Sequence, residues 1–113
     1  MKALLLIALV GLPVLLPIAG QAPMPRMTSV EPGNGKVGDV LTVAGENLDK
    51  QNVAEIYLTD GKDDLRVTVT EQAATSVKIK IPDKAKQGRF SLMILTVGKE
   101  PKLIEQPVKV TVE

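Results

Sequence analysis

From residue 27 onward, apolar and polar side chains alternate with a period of two, the sign of strands with one face in a core and the other in water. Leu41 and Val43 alternate with Val40, Thr42 and Ala44, and Ala54, Ile56 and Leu58 with Glu55 and Tyr57. Val67 and Val69 alternate with Arg66, Thr68 and Thr70. The clearest run is Ser76 to Ile81, where Val77, Ile79 and Ile81 face one way and Lys78 and Lys80 the other. Phe90, Leu92 and Ile94 share a face, as do Val108, Val110 and Val112, the latter opposed by Lys109, Thr111 and Glu113. Pro32-Gly33-Asn34-Gly35, Asp60-Gly61-Lys62, Pro82 and Gly88 punctuate these runs as turns.

The pattern predicts about seven strands, over 27–30, 40–45, 53–59, 65–71, 76–81, 89–97 and 102–112. No stretch of ten or more residues holds a helical period, so the fold class is an all-β sandwich. Pro107 lacks a backbone donor and predicts a bend or bulge in a last strand at a sheet edge. Residues Glu71 to Thr75 are compatible with a short helical turn.

The first 22 residues are a different material. Lys2 is the only charge before Arg26, and sixteen of these residues are apolar. A basic start, the apolar run from Ala3 to Ala19 and the small residues Ala19, Gly20 and Ala22 make a secretory signal peptide. Cleavage after Ala22 suits the small-residue pockets but leaves Pro23 first, whereas cleavage after Ala19 or Gly20 puts Pro17 or Ile18 in the upstream pocket. The competing reading is a retained anchor helix, at the lower length limit for a bilayer and interrupted by Pro13 and Pro17. The expected organisation is therefore a signal peptide over 1–22, a short linker over 23–26 and one domain over 27–113, with membrane contact only if the first segment is retained.

Composition narrows the chemistry. Of 113 residues none is Cys, His or Trp, and there is one Tyr and one Phe. Thiol chemistry, disulfides, imidazole catalysis and Cys- or His-ligated zinc are excluded. Lys and Arg number 14 against 13 Asp and Glu, and without Lys2 the two signs balance. No strong overall field draws the chain to nucleic acid or acidic lipid.

Ser29-Val30-Glu31-Pro32-Gly33-Asn34-Gly35-Lys36-Val37-Gly38-Asp39 runs into Leu41-Thr42-Val43-Ala44-Gly45-Glu46-Asn47-Leu48. This resembles the opening of an IPT/TIG domain, the immunoglobulin-like module of plexins, some transcription factors and many bacterial surface proteins. Its members begin with a Pro, a Gly-rich turn and Gly-Asp, then a strand ending in Gly-x-Asn-Leu or Gly-x-Asn-Phe. Ile79-Lys80-Ile81-Pro82, then Gly88-Arg89-Phe90-Ser91-Leu92, resembles the second half of the family. The resemblance covers residues 27 to 113 and implies an immunoglobulin-like fold without a catalytic residue. The residues themselves explain the match. Gly33, Gly35 and Gly38 suit tight turns with positive φ, and Gly45 a bulge where the chain leaves its strand. Asn47 suits a left-handed turn bonded to local backbone, Pro82 ends pairing after Ile81, and Gly88 opens the next strand.

Ser29, Ser76 and Ser91 are the candidate nucleophiles, but no Ser-x-x-Lys motif and no His supplies a base. Asp60, Asp63 and Asp64 surround a turn, yet their order does not match a calcium loop and Lys62 opposes a cation, so a solvated hairpin tip is the better reading. No metal and no cofactor are expected. Lys78, Lys80, Lys84, Lys86 and Arg89 put five cations within twelve residues, opposed only by Asp83. They form a candidate interaction surface for an anionic glycan or acidic protein, or else keep the strand soluble. No exposed aromatic is expected beside them for base stacking, and export argues against nucleic acid. Tyr57 alone makes a poor sugar platform. The expectation is a non-enzymatic secreted or envelope module that contacts another envelope or extracellular protein or serves adhesion. The alternative is a carbohydrate- or polyanion-binding protein using the basic face of residues 78–89.

Overall fold

In a computed structural model that describes residues 23–113, the alternating segments become nine strands and no helix. The signal peptide expected over 1–22 lies outside the described residues. The strands are β1 (Arg26–Glu31), β2 (Asn34–Gly35), β3 (Val40–Glu46), β4 (Val53–Thr59), β5 (Asp64–Arg66), β6 (Thr68–Gln72), β7 (Ser76–Lys80), β8 (Gly88–Thr96) and β9 (Leu103–Val112). One sheet has five strands in the order β2-β9-β8-β4-β5, and the other has four, β1-β3-β7-β6. All pairings are antiparallel except that of β2 with β9.

The two sheets press their apolar faces together. Leu41, Val43, Val77, Ile79 and Met27 from the four-stranded sheet meet Ile56, Leu58, Leu92, Ile94, Val108, Val110 and Val112 from the other, all buried. Each such side chain contributes roughly 1.5–3 kcal/mol by leaving water. In an interior without disulfides, this packing is the main source of stability.

Nine strands replace the expected seven because two segments change sheets part-way. The first leaves β1 at the Glu31–Pro32 peptide, which is cis, and joins the other sheet as β2. The expected strand over 65–71 is divided at Val67 into β5 and β6, in opposite sheets. Val67 is buried at this crossing and its N–H donates to the Ile56 carbonyl at 2.9 Å. On the opposite flank the Met27 N–H donates to Oε1 of buried Gln106 at 2.8 Å, tying β1 to β9 across the sheets.

Bulges account for the other departures. Val53 pairs with Thr96 and Glu55 with Leu95, so Ala54 is an extra residue. It turns outward, not inward as its alternation with Ile56 suggested, and Val53 takes the core position. The β9–β8 register slips between Glu105 and Lys109, where Pro107 sits, and β9's other neighbour, β2, reaches only Thr111 and Val112. The short helix suggested for Glu71 to Thr75 is instead the end of β6 and a tight turn, with Ala73 and Ser76 exchanging backbone hydrogen bonds.

The turn glycines divide by role. Of Gly33, Gly35 and Gly38, only Gly38 has positive φ, at 91°. Gly35 is in β2, where a Cβ would meet Asp39 and Ile81 side-chain atoms at 3.2 Å. Crowding, not handedness, therefore favours glycine there. Gly45 is not itself bulged: Met27 pairs with Gly45 and Ser29 with Ala44, so the extra residue is Thr28 on β1. Asn47 is left-handed, with φ 56°, but its Nδ2 donates to the distant Met24 carbonyl at 3.2 Å instead of to local backbone.

β1 begins at one pole, beside Asn47, and β9 ends at the other, where Val112 pairs with Gly35 and Gly88. The β4–β5 tip and the β7–β8 loop also lie at this second pole.

Candidate functional site

A cleft of about 280 Å³ opens at that pole, between the β4–β5 hairpin and the β7–β8 loop. Its acidic wall is Asp60, Asp63 and Asp64, and its basic wall is Lys84, Lys86 and Arg89. Leu58, Leu65 and Phe90 supply the apolar part of the lining.

The hairpin is shaped by Asp60. Its Oδ1 accepts the backbone N–H groups of Lys62 (2.9 Å) and Asp63 (2.8 Å), while Thr59 Oγ1 accepts that of Gly61 at 3.1 Å. Gly61, with φ 95°, takes the left-handed position this turn requires. The backbone N–H groups of Asp63 and Lys62 hold the Asp60 carboxyl below its ordinary pKa. Among the described residues no group of three or more carboxylates is placed to hold a metal ion. The opposite wall follows from Pro82, whose carbonyl accepts the Ala85 N–H at 3.0 Å and turns the chain toward β8.

The five expected cations do not form one face, because β7 and β8 lie in different sheets and the loop between them crosses the pole. Lys78 is half-buried and its Nζ lies 3.7 Å from Glu71 Oε2 on β6. Lys80 and Lys84 border a shallow depression with Arg66, Thr68 and Asp83. Lys84, Lys86 and Arg89 turn to the acidic hairpin. Asp60, Asp63 and Asp64 and the loop lysines are visible in the sequence as two separate clusters; their meeting is not, since residues 20 or more apart are joined only by the fold. Phe90 joins the lining as well, and its sole mark in the sequence is that the chain's one Phe directly follows Gly88-Arg89.

The outer face of the five-stranded sheet carries Tyr57. Its hydroxyl donates to Glu55 Oε1, and Arg66 Nη1 donates to Glu55 Oε2 at 3.0 Å. The Tyr57 hydroxyl, then Arg66, holds the Glu55 carboxyl below its usual pKa, and the same bond to Glu55 raises that of the Tyr57 phenol. Of the candidate nucleophiles, Ser29 is exposed and Ser76 half-buried, whereas Ser91 is buried and its Oγ accepts from Lys109 Nζ at 2.7 Å. Ser91 lies on β8 between β4 and β9, where the sheet ladders engage the backbone N–H groups that an oxyanion would require.

The family model described as IPT/TIG domain matches residues 25–112. The chain belongs to the IPT/TIG family. This TIG domain is similar to several solved structures from Bacteroides. A structural genomics protein of unknown function from Bacteroides thetaiotaomicron VPI-5482 is 20% identical with TM-score 0.66, over 80% of this chain and 22% of that one. An auxiliary nutrient binding protein from Bacteroides ovatus ATCC 8483 is 19% identical with TM-score 0.56, over 80% of this chain and 21% of that one. SGBP-B of the Bacteroides ovatus mixed-linkage glucan utilization locus, in complex with a mixed-linkage heptasaccharide, is 20% identical with TM-score 0.50, over 72% and 21%. These likenesses establish a shared fold, and the TIG domain spans about a fifth of each of those chains. No curated protein matches its sequence.

Proposed function

We propose that this TIG domain is a non-enzymatic module, exported to the cell envelope or beyond, that acts by contacting another envelope or extracellular protein. The observation that carries this reading is the arrangement at the second pole, where loops from both sheets present opposed charges around an apolar lining. That is a surface for contact, whereas the serine with a lysine neighbour, Ser91, is fixed within a ladder. Residues 1–22 serve as the export signal in this proposal, 23–26 as a short linker and 27–113 as the working domain. Similar folds within nutrient-binding proteins support a binding role in general terms.

The alternative, a carbohydrate or polyanion ligand on residues 78–89, draws on the likeness to SGBP-B and on Lys80, Lys84 and Arg66 around one depression. The acidic wall beside Lys84, Lys86 and Arg89 weighs against it. Affinity capture from envelope extract separates the two readings. Protein partners retained at moderate salt support the module, whereas retention on anionic glycans alone, lost as salt rises, replaces it with the alternative.

A further inference from the structure

We infer that the cleft at the second pole takes a short peptide segment of the protein partner, one carrying a basic and an acidic side chain on either side of an apolar residue. The inference rests on the protein-contact reading above and names the place and chemistry of that contact.

Charge complementarity supplies the argument. Among the described residues the ion pairs are Arg26–Glu46 (3.2 Å), Arg66–Glu55 (3.0 Å) and Lys78–Glu71 (3.7 Å). None involves the six charges that line the cleft. Asp60, Asp63 and Asp64 therefore share the cleft with Lys84, Lys86 and Arg89 without forming a close ion pair, which leaves both sets free to pair with a ligand. A ligand of a single sign is attracted by one wall and repelled by the other. A segment with both signs, correctly oriented, meets its complement on each side, and specificity follows from the repulsion of every other pattern.

The lining and the size limit the occupant further. Phe90 and Leu65 are each half-buried, so both present apolar surface between the charged walls. That surface suits one aliphatic side chain placed between the two charges. A volume of about 280 Å³ lies just below the usual range of ligand pockets and admits only a few side chains of an extended segment. The walls are also anchored independently. The acidic one rests on the Asp60 turn, and the basic one on the Pro82 turn and the start of β8, so the gap between them is set by the fold.

The test is heteronuclear NMR titration of the chain with three end-blocked pentapeptides, Gly-Lys-Leu-Glu-Gly, Gly-Glu-Leu-Glu-Gly and Gly-Lys-Leu-Lys-Gly. The mixed-charge peptide should shift amides of Asp63 to Leu65 and Lys84 to Phe90, and bind about fivefold or more tightly than either single-sign peptide. Exchanging Lys84→Glu together with Lys86→Glu, at exposed positions, should abolish that preference and favour the all-basic peptide. No shift at millimolar peptide, shifts elsewhere, or equal or tighter binding of the all-acidic peptide would overturn the inference. The same lysine variant belongs in the envelope capture. If the variant keeps every protein partner, the cleft is wrong and the module reading stands; if the unaltered chain keeps none, the module reading itself falls.

Discussion

Replacing Gly45 by alanine tests whether the contact between β1 and β3 is as close as the structure makes it. A Cβ built at Gly45 lies 2.1 Å from the Arg26 carbonyl oxygen, 2.9 Å from Met27 Cα and 3.0 Å from the Arg26 carbonyl carbon. All three are backbone atoms of β1, so no side-chain rotation relieves the clash. Nor can Gly45 easily retreat, because its N–H donates to the Thr75 carbonyl at 3.0 Å. The strand β1 must move away instead. That movement disturbs buried Met27 and its 2.8 Å bond to Gln106. Overpacking costs about 1–3 kcal/mol and a lost hydrogen bond about 1 kcal/mol, so the expected loss is about 3 kcal/mol. At about 4–8 °C per kcal/mol for a domain of this size, the melting temperature should fall by about 12–24 °C. Gly33→Ala is the control, since Gly33 has no atom within 4 Å of a built Cβ and no positive φ. Thermal unfolding followed by circular dichroism reads both variants. A Gly45→Ala protein melting within about 3 °C of the unaltered chain would refute the reasoning.

Gln106→Leu keeps the volume but leaves the buried Met27 N–H without its acceptor, and should cost about 1–3 kcal/mol in urea unfolding, with faster amide exchange at Met27; unchanged exchange would mean that the bond does not tie the sheets. Asp60 has a lowered folded pKa, so its contribution is present above the unfolded value of about 3.9 and is lost as pH falls through the lower folded one. The Lys62 and Asp63 amide signals should therefore shift on acidification below about pH 4, and Asp60→Asn should remove the response. Tyr57 has the opposite sign: its folded pKa is raised, so the contribution of its bond to Glu55 is full below the unfolded value of about 10 and is lost as pH rises through the folded one. Ultraviolet titration should place Tyr57 ionisation above about pH 10, with Glu55→Gln bringing it down; identical curves would dismiss the bond.

How far the sequence revealed this architecture depends on the element. β3 and β7 are legible because Leu41 and Val43, and Val77 and Ile79, alternate without interruption and all four are buried. Alternation reports which way a side chain faces but not which sheet its strand joins. The crossing at Val67 therefore left no signature and one run became two strands, while Asn34–Gly35, which read as part of a turn, pairs as β2. Ala54 misled for a related reason: an inserted residue reverses the apparent phase, and a small apolar side chain is tolerated on either face. Gln106 occupies an inward position in the series with Val108, Val110 and Val112. A lone polar residue in such a series signals a buried hydrogen bond, but not its partner. The cleft was half legible, since the acidic turn and the basic loop each stand out in the sequence while their apposition is a property of the folded pole.

The parallel pair β2 and β9 bears on how the domain would carry tension. With β1 starting at one pole and β9 ending at the other, a pull on the two ends acts along the strands. It draws β2 and β9 past each other in opposite directions. Their cross-links, from the Thr111 N–H to the Gly33 carbonyl (3.0 Å) and from the Glu113 N–H to the Gly35 carbonyl (2.9 Å), lie across that line and share the load in shear. The side chain of Asn34 adds a further link to Glu113. The antiparallel ladder of β1 on β3 is loaded the same way. Bonds stressed together fail together, so the domain should hold its length under a steady pull and then yield abruptly, as a tether does and a spring does not.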